Sequence, residues 1–232
     1  SADSSTSGDD SESGSSSAEQ GESSSSGEPE DCVEILWVSN VMDPAGSTDE
    51  PLQDHLESLG YVITRIVDNV ATAADADGYC VVLLSAVSDS SDIESEFHDV
   101  DVPVITWEFA LFDNMGFAVS TGEYDLDEGA TQIEIVDASH PLAAGLSGTV
   151  MLYEGVGRVN WSLAHNSAIV GVRTDDDQHA SLFAYEAGDT LADGTIAASK
   201  RAGLPFSNAL RGELQPAALD ILAAAVDWAT AP

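Results

Sequence analysis

Apolar and polar positions follow two different rhythms along this chain. Between residues 33 and 117, compact apolar runs alternate with amphipathic stretches. Val33–Ser39 (VEILWVS), Val62–Val67 (VITRIV), Cys80–Ser85 (CVVLLS) and Pro103–Trp107 (PVITW) are short and rich in branched residues, and read as buried strands. Asp49–Leu59 places Leu52, Leu56 and Leu59 at helical spacing, with Pro51 in its first turn and Gly60 just past its end. Those are the start and stop signals of a helix. Ser90–Asp99 carries Ile93 and Phe97 on one side and acids on the other, and reads as a surface helix. Phe109, Phe112 and Met115 mark a short apolar helix after the fourth strand.

After Gly116 the texture changes. Gln132–Val136, Val150–Tyr153, Val159–Leu163, Ala168–Arg173 and Ser181–Tyr185 are strand-like and separated by Gly, Asn or Asp. Gln215–Thr230, with Leu219, Leu222, Val226 and Trp228, closes the chain as an Ala/Leu-rich helix. The pattern predicts an α/β protein. Its sheet is expected to be doubly wound and mainly parallel, in the flavodoxin-like order 2-1-3-4, flanked by helices, with additional short antiparallel strands in the second half.

Charge redraws the boundaries. The 232 residues hold 42 acids against 6 bases, a net of −36. Residues 1–31 contain 13 serines, nine acids and no Val, Ile, Leu or aromatic residue. Such a segment cannot bury enough apolar surface to offset its ordering entropy, so it reads as a disordered Ser/Gly/acidic linker. Setting its nine acids aside leaves 33 against 6 bases over residues 32–232, a net of −27. That remainder is long enough for one domain with a substantial core.

The balance excludes a nucleic-acid backbone binder, which needs cations to replace counterions. It equally excludes docking on anionic lipid, and no run is long and apolar enough for a transmembrane segment. A surplus this broad reads as halotolerance, adaptation to a salty medium, rather than as a binding patch. A Ser/Gly/Glu tether starting at Ser1 without a methionine resembles that of a mature bacterial lipoprotein. The expectation is an exported protein, secreted or held at the cell surface or in the periplasm, with a lipid anchor upstream of Ser1.

In open α/β sheets the ligand crevice lies beyond the carboxyl ends of the strands. There the sequence offers Asn40, Met42 and Asp43, then Asp68, then Ser85 and Ser88, then Trp107 and Glu108. Glu108 reads either as a carboxylate in a cleft or as a helix N-terminal acid favoured by the dipole. Ser85 and Ser88 lack the G-x-S-x-G frame of a nucleophile elbow, so capping is the better reading.

His55, His98, His140, His165 and His179 are scattered without ligand spacing, so no metal and no cofactor is implied. The acidic clusters Glu123/Asp125/Asp127/Glu128, Asp175–Asp177 and Asp99/Asp101 read as solvated surface rather than Ca²⁺ sites. Tyr153, Arg158, Asn160 and Trp161 form an aromatic-polar stretch suited to stacking on a sugar, or simply to core packing. In the order 2-1-3-4, Cys32 and Cys80 fall at the same end of neighbouring parallel strands. A disulfide is then reachable, the alternative being two unrelated thiols.

The stretches LGYVITRIVD (59–68), DGYCVVLLSAVS (77–88), VDVPVITWEFALFDNMGF (100–117), IVDASHPLAAGLSG (135–148), SLFAYEAG (181–188) and ALDILAAAVDWA (218–229) span nearly all of residues 32–232. Together they resemble a group of bacterial extracellular domains that looks like a divergent branch of the class I glutamine amidotransferase-like fold, near the ThuA-like proteins. HPLAAGL, through His140, Pro141, Gly145 and Leu146, is the piece most shared with the latter. The resemblance implies a single amidotransferase-like domain over 32–232 and an accessory role beside carbohydrate-active or adhesive proteins. It does not carry over amidotransferase activity, because the elbow cysteine is missing and Cys80 opens its strand.

Two functions are therefore expected. The first is a non-catalytic, surface-tethered binding module with polysaccharide or other cell-surface partners. The second is a hydrolase of sugars or amides that uses Glu108 with His140 or Asp43.

Overall fold

The computed structural model describes residues 32–208 and 214–231. The linker expected over 1–31, and any anchor before it, lie outside the described residues. Eleven strands join in one sheet. The first four are β1 (Glu34–Ser39), β2 (Val62–Val67), β3 (Val81–Leu84) and β4 (Val104–Thr106). They lie in the expected order 2-1-3-4 and pair in parallel.

The sheet as a whole is not mainly parallel, however. β5 (Tyr124–Glu128), β6 (Gln132–Ile135), β7 (Gly148–Met151), β8 (Arg158–Ser162), β9 (Ala168–Arg173) and β10 (Asp176–Tyr185) all enter it antiparallel to their neighbours. Only β11 (Arg201–Gly203) rejoins β4 in parallel. The physical reason is the lack of crossover helices. Parallel neighbours need a crossover, usually a helix, whereas β9 and β10 are joined by a tight turn and no α-helix lies between β5 and β11.

Alternate residues of a strand face opposite sides, and both sides of the parallel strands are covered. Ile35, Trp37, Val81, Leu83 and Ile105 pack under α1 (Glu50–Ser58) and the terminal helix. Leu36, Val38, Val82, Leu84 and Val104 pack against Ile93, Phe97, Leu111, Phe112 and Met115. The helix expected over Ser90–Asp99 is a single turn, α2 (Ser90–Ile93), because Glu94 takes a positive φ of 46° and breaks it. Ile93 and Phe97 are nonetheless buried as their spacing implied. The apolar helix expected near Phe109 is a 3₁₀ turn, Phe109–Leu111. The chain closes with α3 (Pro216–Thr230).

The amino ends of the parallel strands are fastened in three ways. Cys32 and Cys80 form a disulfide with Cα atoms 5.7 Å apart. Arg201, fully buried, donates from Nη1 to the carbonyls of Val102 and Lys200, and from Nη2 to those of His98 and Val100. Lys200 Nζ donates to the Trp228 and Ala231 carbonyls at the end of α3. Among the described residues no helix is long and apolar enough to cross a membrane.

Candidate functional site

At the other, carboxyl end of these strands lies a buried polar knot. Asp49 precedes α1 in the N-cap position but makes no side-chain cap bond. Its carboxylate turns inward instead and is fully buried. Oδ2 accepts from Trp37 Nε1 at 3.1 Å, Ser39 Oγ at 3.0 Å and Arg65 Nη2 at 2.7 Å, while Oδ1 accepts from Ser85 Oγ. Arg65, in the middle of β2, also donates from Nε to the Val41 carbonyl and from Nη1 to Gln53, and lies over the Trp37 ring. Trp37 meets Trp107 edge-on at 5.2 Å, and Trp107 in turn meets Phe206. One carboxylate thus ties β1, β2, β3 and the loop before α1 together.

The knot decides what Ser85 and Trp107 do. Both were expected to line the cleft, and both are buried. The Ser85 hydroxyl donates to Asp49 and accepts from the Val87 N–H, and its complete burial keeps it from solvent. Ser88 is also buried, its hydroxyl donating to the Val38 carbonyl. Asn40 and Asp43 are exposed, and Asp43 accepts the Ala45 N–H as a local turn bond. Asp68 is buried and accepts the Asn69 and Asp89 backbone N–H groups.

Glu108 is the titratable group of most interest at this end. It caps the Phe109–Leu111 turn by accepting the Ala110 N–H at 3.0 Å. Only 7% of it is exposed. Burial pushes its carboxyl up to about 7, against the opposing pull of the Ala110 bond and with a small push from the negative charge of Asp89. Both readings of Glu108 therefore meet in one side chain, a turn cap that is also a carboxyl able to exchange a proton near neutral pH.

His140 is elsewhere. It caps the turn Pro141–Ala143, its Nδ1 accepting the Leu142 N–H, and its ring lies 6.0 Å from that of Trp228. Trp228 Nε1 donates to Glu186. Glu186 follows Tyr185, which is opposite Arg201, which in turn is opposite Val104 at the start of β4. Glu108 comes two residues after the last residue of the same strand. The two candidates stand at opposite ends of β4 and cannot share a substrate atom. Burial lowers the proton affinity of His140, opposed by the charges of Asp137 and Glu186.

The aromatic-polar stretch splits between core and surface. Tyr153 and Asn160 are buried, and Asn160 Nδ2 donates to the Trp107 and Phe206 carbonyls. Arg158 pairs with Glu128. Trp161 is half-buried, stacked on His179 at 3.7 Å beside Arg173. The acidic run at residues 123–128 proves to be largely a strand, with Asp125 and Asp127 on β5 and Asp127 paired to Arg173. No group of three or more His, Cys, Asp or Glu side chains suited to holding a metal gathers among the described residues.

No family model matches this chain, and no curated protein matches it. Among solved structures, a ThuA-like protein from Bacteroides uniformis aligns with 84% of this chain and 90% of its own, at 9% identity and a TM-score of 0.48. That likeness is one of backbone path.

Proposed function

We propose that this chain is a non-catalytic accessory or binding module of an exported, surface-tethered bacterial protein, with glycans as its partner class. One observation carries the reading. Most of the buried polar side chains at the end of the sheet where such folds place their chemistry are committed to internal bonds, with Asp49 holding Trp37, Ser39, Arg65 and Ser85. The Ser/Gly/acidic composition of residues 1–31 and the Cys32–Cys80 bond support an exported, tethered setting. Glycan arrays and insoluble-polysaccharide pull-downs test the partner class, and retention on at least one polysaccharide is expected. Uniform absence of binding across chemically diverse sugars removes the glycan part.

A catalytic reading draws support from Glu108 alone, through its burial and its raised proton affinity. Its pairing with His140 does not fit their separation along β4. Hydrolysis of a sugar or amide that Glu108→Gln abolishes would overturn the non-catalytic proposal. The acidity belongs to a salty setting. The melting temperature should rise from low salt to roughly molar salt, where the Debye length is about 3 Å; an unchanged value removes the halotolerant part.

A further inference from the structure

The margin of the sheet at β2 is undefended. β2 pairs with β1 on one side and with no described strand on the other. Its Val62 N–H donates to the Val33 carbonyl, and the register with β1 runs unbroken from Val62 to Val67. Backbone groups alternate sides along a strand, so those of Ile63 and Arg65 and the N–H of Val67 are turned to the open side, the Val67 carbonyl already accepting the Ala71 N–H. Natural edges are usually guarded by an outward charge, a proline or a bulge. β2 has no proline and no bulge, and its one charge, Arg65, is folded inward onto Asp49 with 5% of the side chain exposed.

Exposed apolar groups also gather here. Val62 lies on the strand, Leu59 and Val33 flank its start, Val70 follows its end, and Met42 adjoins the Val41 carbonyl that Arg65 holds. These are five of the eleven large apolar residues that stand exposed among the described residues.

We infer that β2 is a self-association edge, on which a second copy of the chain adds antiparallel through its own β2 and extends the sheet across a two-fold axis. An axis normal to the sheet and centred on Thr64 sets Thr64 against Thr64 and Val62 against Ile66 on one face. These are cross-strand pairs of the favourable kind. The outward backbone groups of Ile63 and Arg65 then exchange hydrogen bonds between the copies. Charge selects the occupant. The carboxylates of this acidic fold draw basic partners to other surfaces, whereas a strand that shows no outward charge is matched by another uncharged strand, which the chain itself supplies. Two copies of a −27 fold repel each other, so the association strengthens as salt screens them.

Sedimentation equilibrium of the full chain at low salt and in roughly molar KCl tests this. Twice the monomer mass is expected in high salt, and the monomer in low salt. Val67→Pro removes one outward N–H at a residue whose φ of −74° already suits proline. Thr64→Glu sets two carboxylates against each other at the axis. Both variants should be monomeric in high salt with the circular dichroism of the wild type. A wild-type chain that stays monomeric leaves the edge to a foreign strand and overturns the inference, as does a dimer that survives Thr64→Glu. That variant keeps every β1–β2 bond and decides the matter even where Val67→Pro fails to fold.

Discussion

The two ends of the parallel strands solve the problem of burying an arginine in opposite ways. At the carboxyl end, Arg65 is balanced by Asp49, a full counter-charge at 2.7 Å. At the amino end, Arg201 has no carboxylate in contact and is held by four backbone carbonyls. Burial lowers its pKa to about 10 although the Asp99 and Asp101 charges pull the other way, so it remains a cation at neutral pH. The carbonyls it holds belong to the 98–102 loop and to Lys200, and a covalent bond fastens the same end. In a chain with six cations and 42 acids, a buried arginine is therefore no guide to an anion site. Both of these are structural fasteners, and what distinguishes the ends is how each fails.

The largest effect is expected at the carboxyl end. Asp49→Ala strands the Arg65 guanidinium and removes the acceptor of Trp37, Ser39 and Ser85. Breaking one partner of a buried pair costs about 3–5 kcal/mol. Urea unfolding should show that loss, and the double variant Asp49→Leu with Arg65→Met should recover most of it, because a packed apolar pair needs no balancing charge. A double variant as unstable as Asp49→Ala would mean that the hydroxyl and indole bonds, not the ion pair, dominate the knot.

At the amino end the counterpart is the disulfide. It spans 48 residues of sequence, and loop-closure entropy gives about 4 kcal/mol as its upper contribution for a loop of that size. Cys32→Ser with Cys80→Ser should lower the unfolding free energy by up to that amount, while alkylation and mass measurement of the wild type should find no thiol until reductant is added. Two alkylated cysteines in the unreduced native protein would remove this fastener from the comparison.

Glu108 sharpens the contrast through pH. Its folded pKa of about 7 stands above the ordinary 4.5 because burial disfavours the charge. Between those values the native state keeps a proton that the unfolded chain has released, so stability is full below pH 4.5 and falls as pH rises through 7. The loss is on the order of 3 kcal/mol if the whole shift is realised. Glu108→Gln should flatten that decline in denaturant titrations between pH 5 and 8 (roughly 1.4 kcal/mol per pH unit at most). Identical slopes for the two proteins would show that Glu108 is as ionised as a surface acid.

The sequence carried the first half of the fold because its signals were strong and local. Apolar runs bounded by turns located β1 to β4, and the leucines at helical spacing located α1. The strand order brought Cys32 and Cys80 within reach of a disulfide without deciding it against two separate thiols, and the structure forms the bond. Other features were hidden by ambiguity of residue type. β5 (YDLDE) reads as an acidic cluster because its charges alternate with Tyr124 and Leu126. β11 (RAG) is too short for any period, and its Gly203 is required only because the Phe183 ring leaves no room for a Cβ. Asp49 merely opens the helical segment Asp49–Leu59, and nothing in the pattern sets it apart. A signal for its partner did exist: Arg65 is a lone cation in a branched apolar strand and must find a counter-charge or carbonyls within reach. Nothing in the composition says which it finds.

The smallest effect separates a screened fastener from a buried one. Lys200 Nζ is 2.8 Å from the Trp228 and Ala231 carbonyls and 5.5 Å from the centre of the Trp228 ring. It places a cation where the dipole of α3 is negative, worth about 0.3–1 kcal/mol near the surface. Lys200→Met keeps the apolar stem and deletes the charge, so the loss should stay within that range and shrink in roughly molar salt, where screening acts over about 3 Å. Lys200→Arg should retain the low-salt stability. The Asp49→Ala loss, by contrast, should hardly change with salt, since neither Asp49 nor Arg65 is open to solvent. If the two losses respond to salt alike, the distinction between a buried fastener and a screened one is wrong.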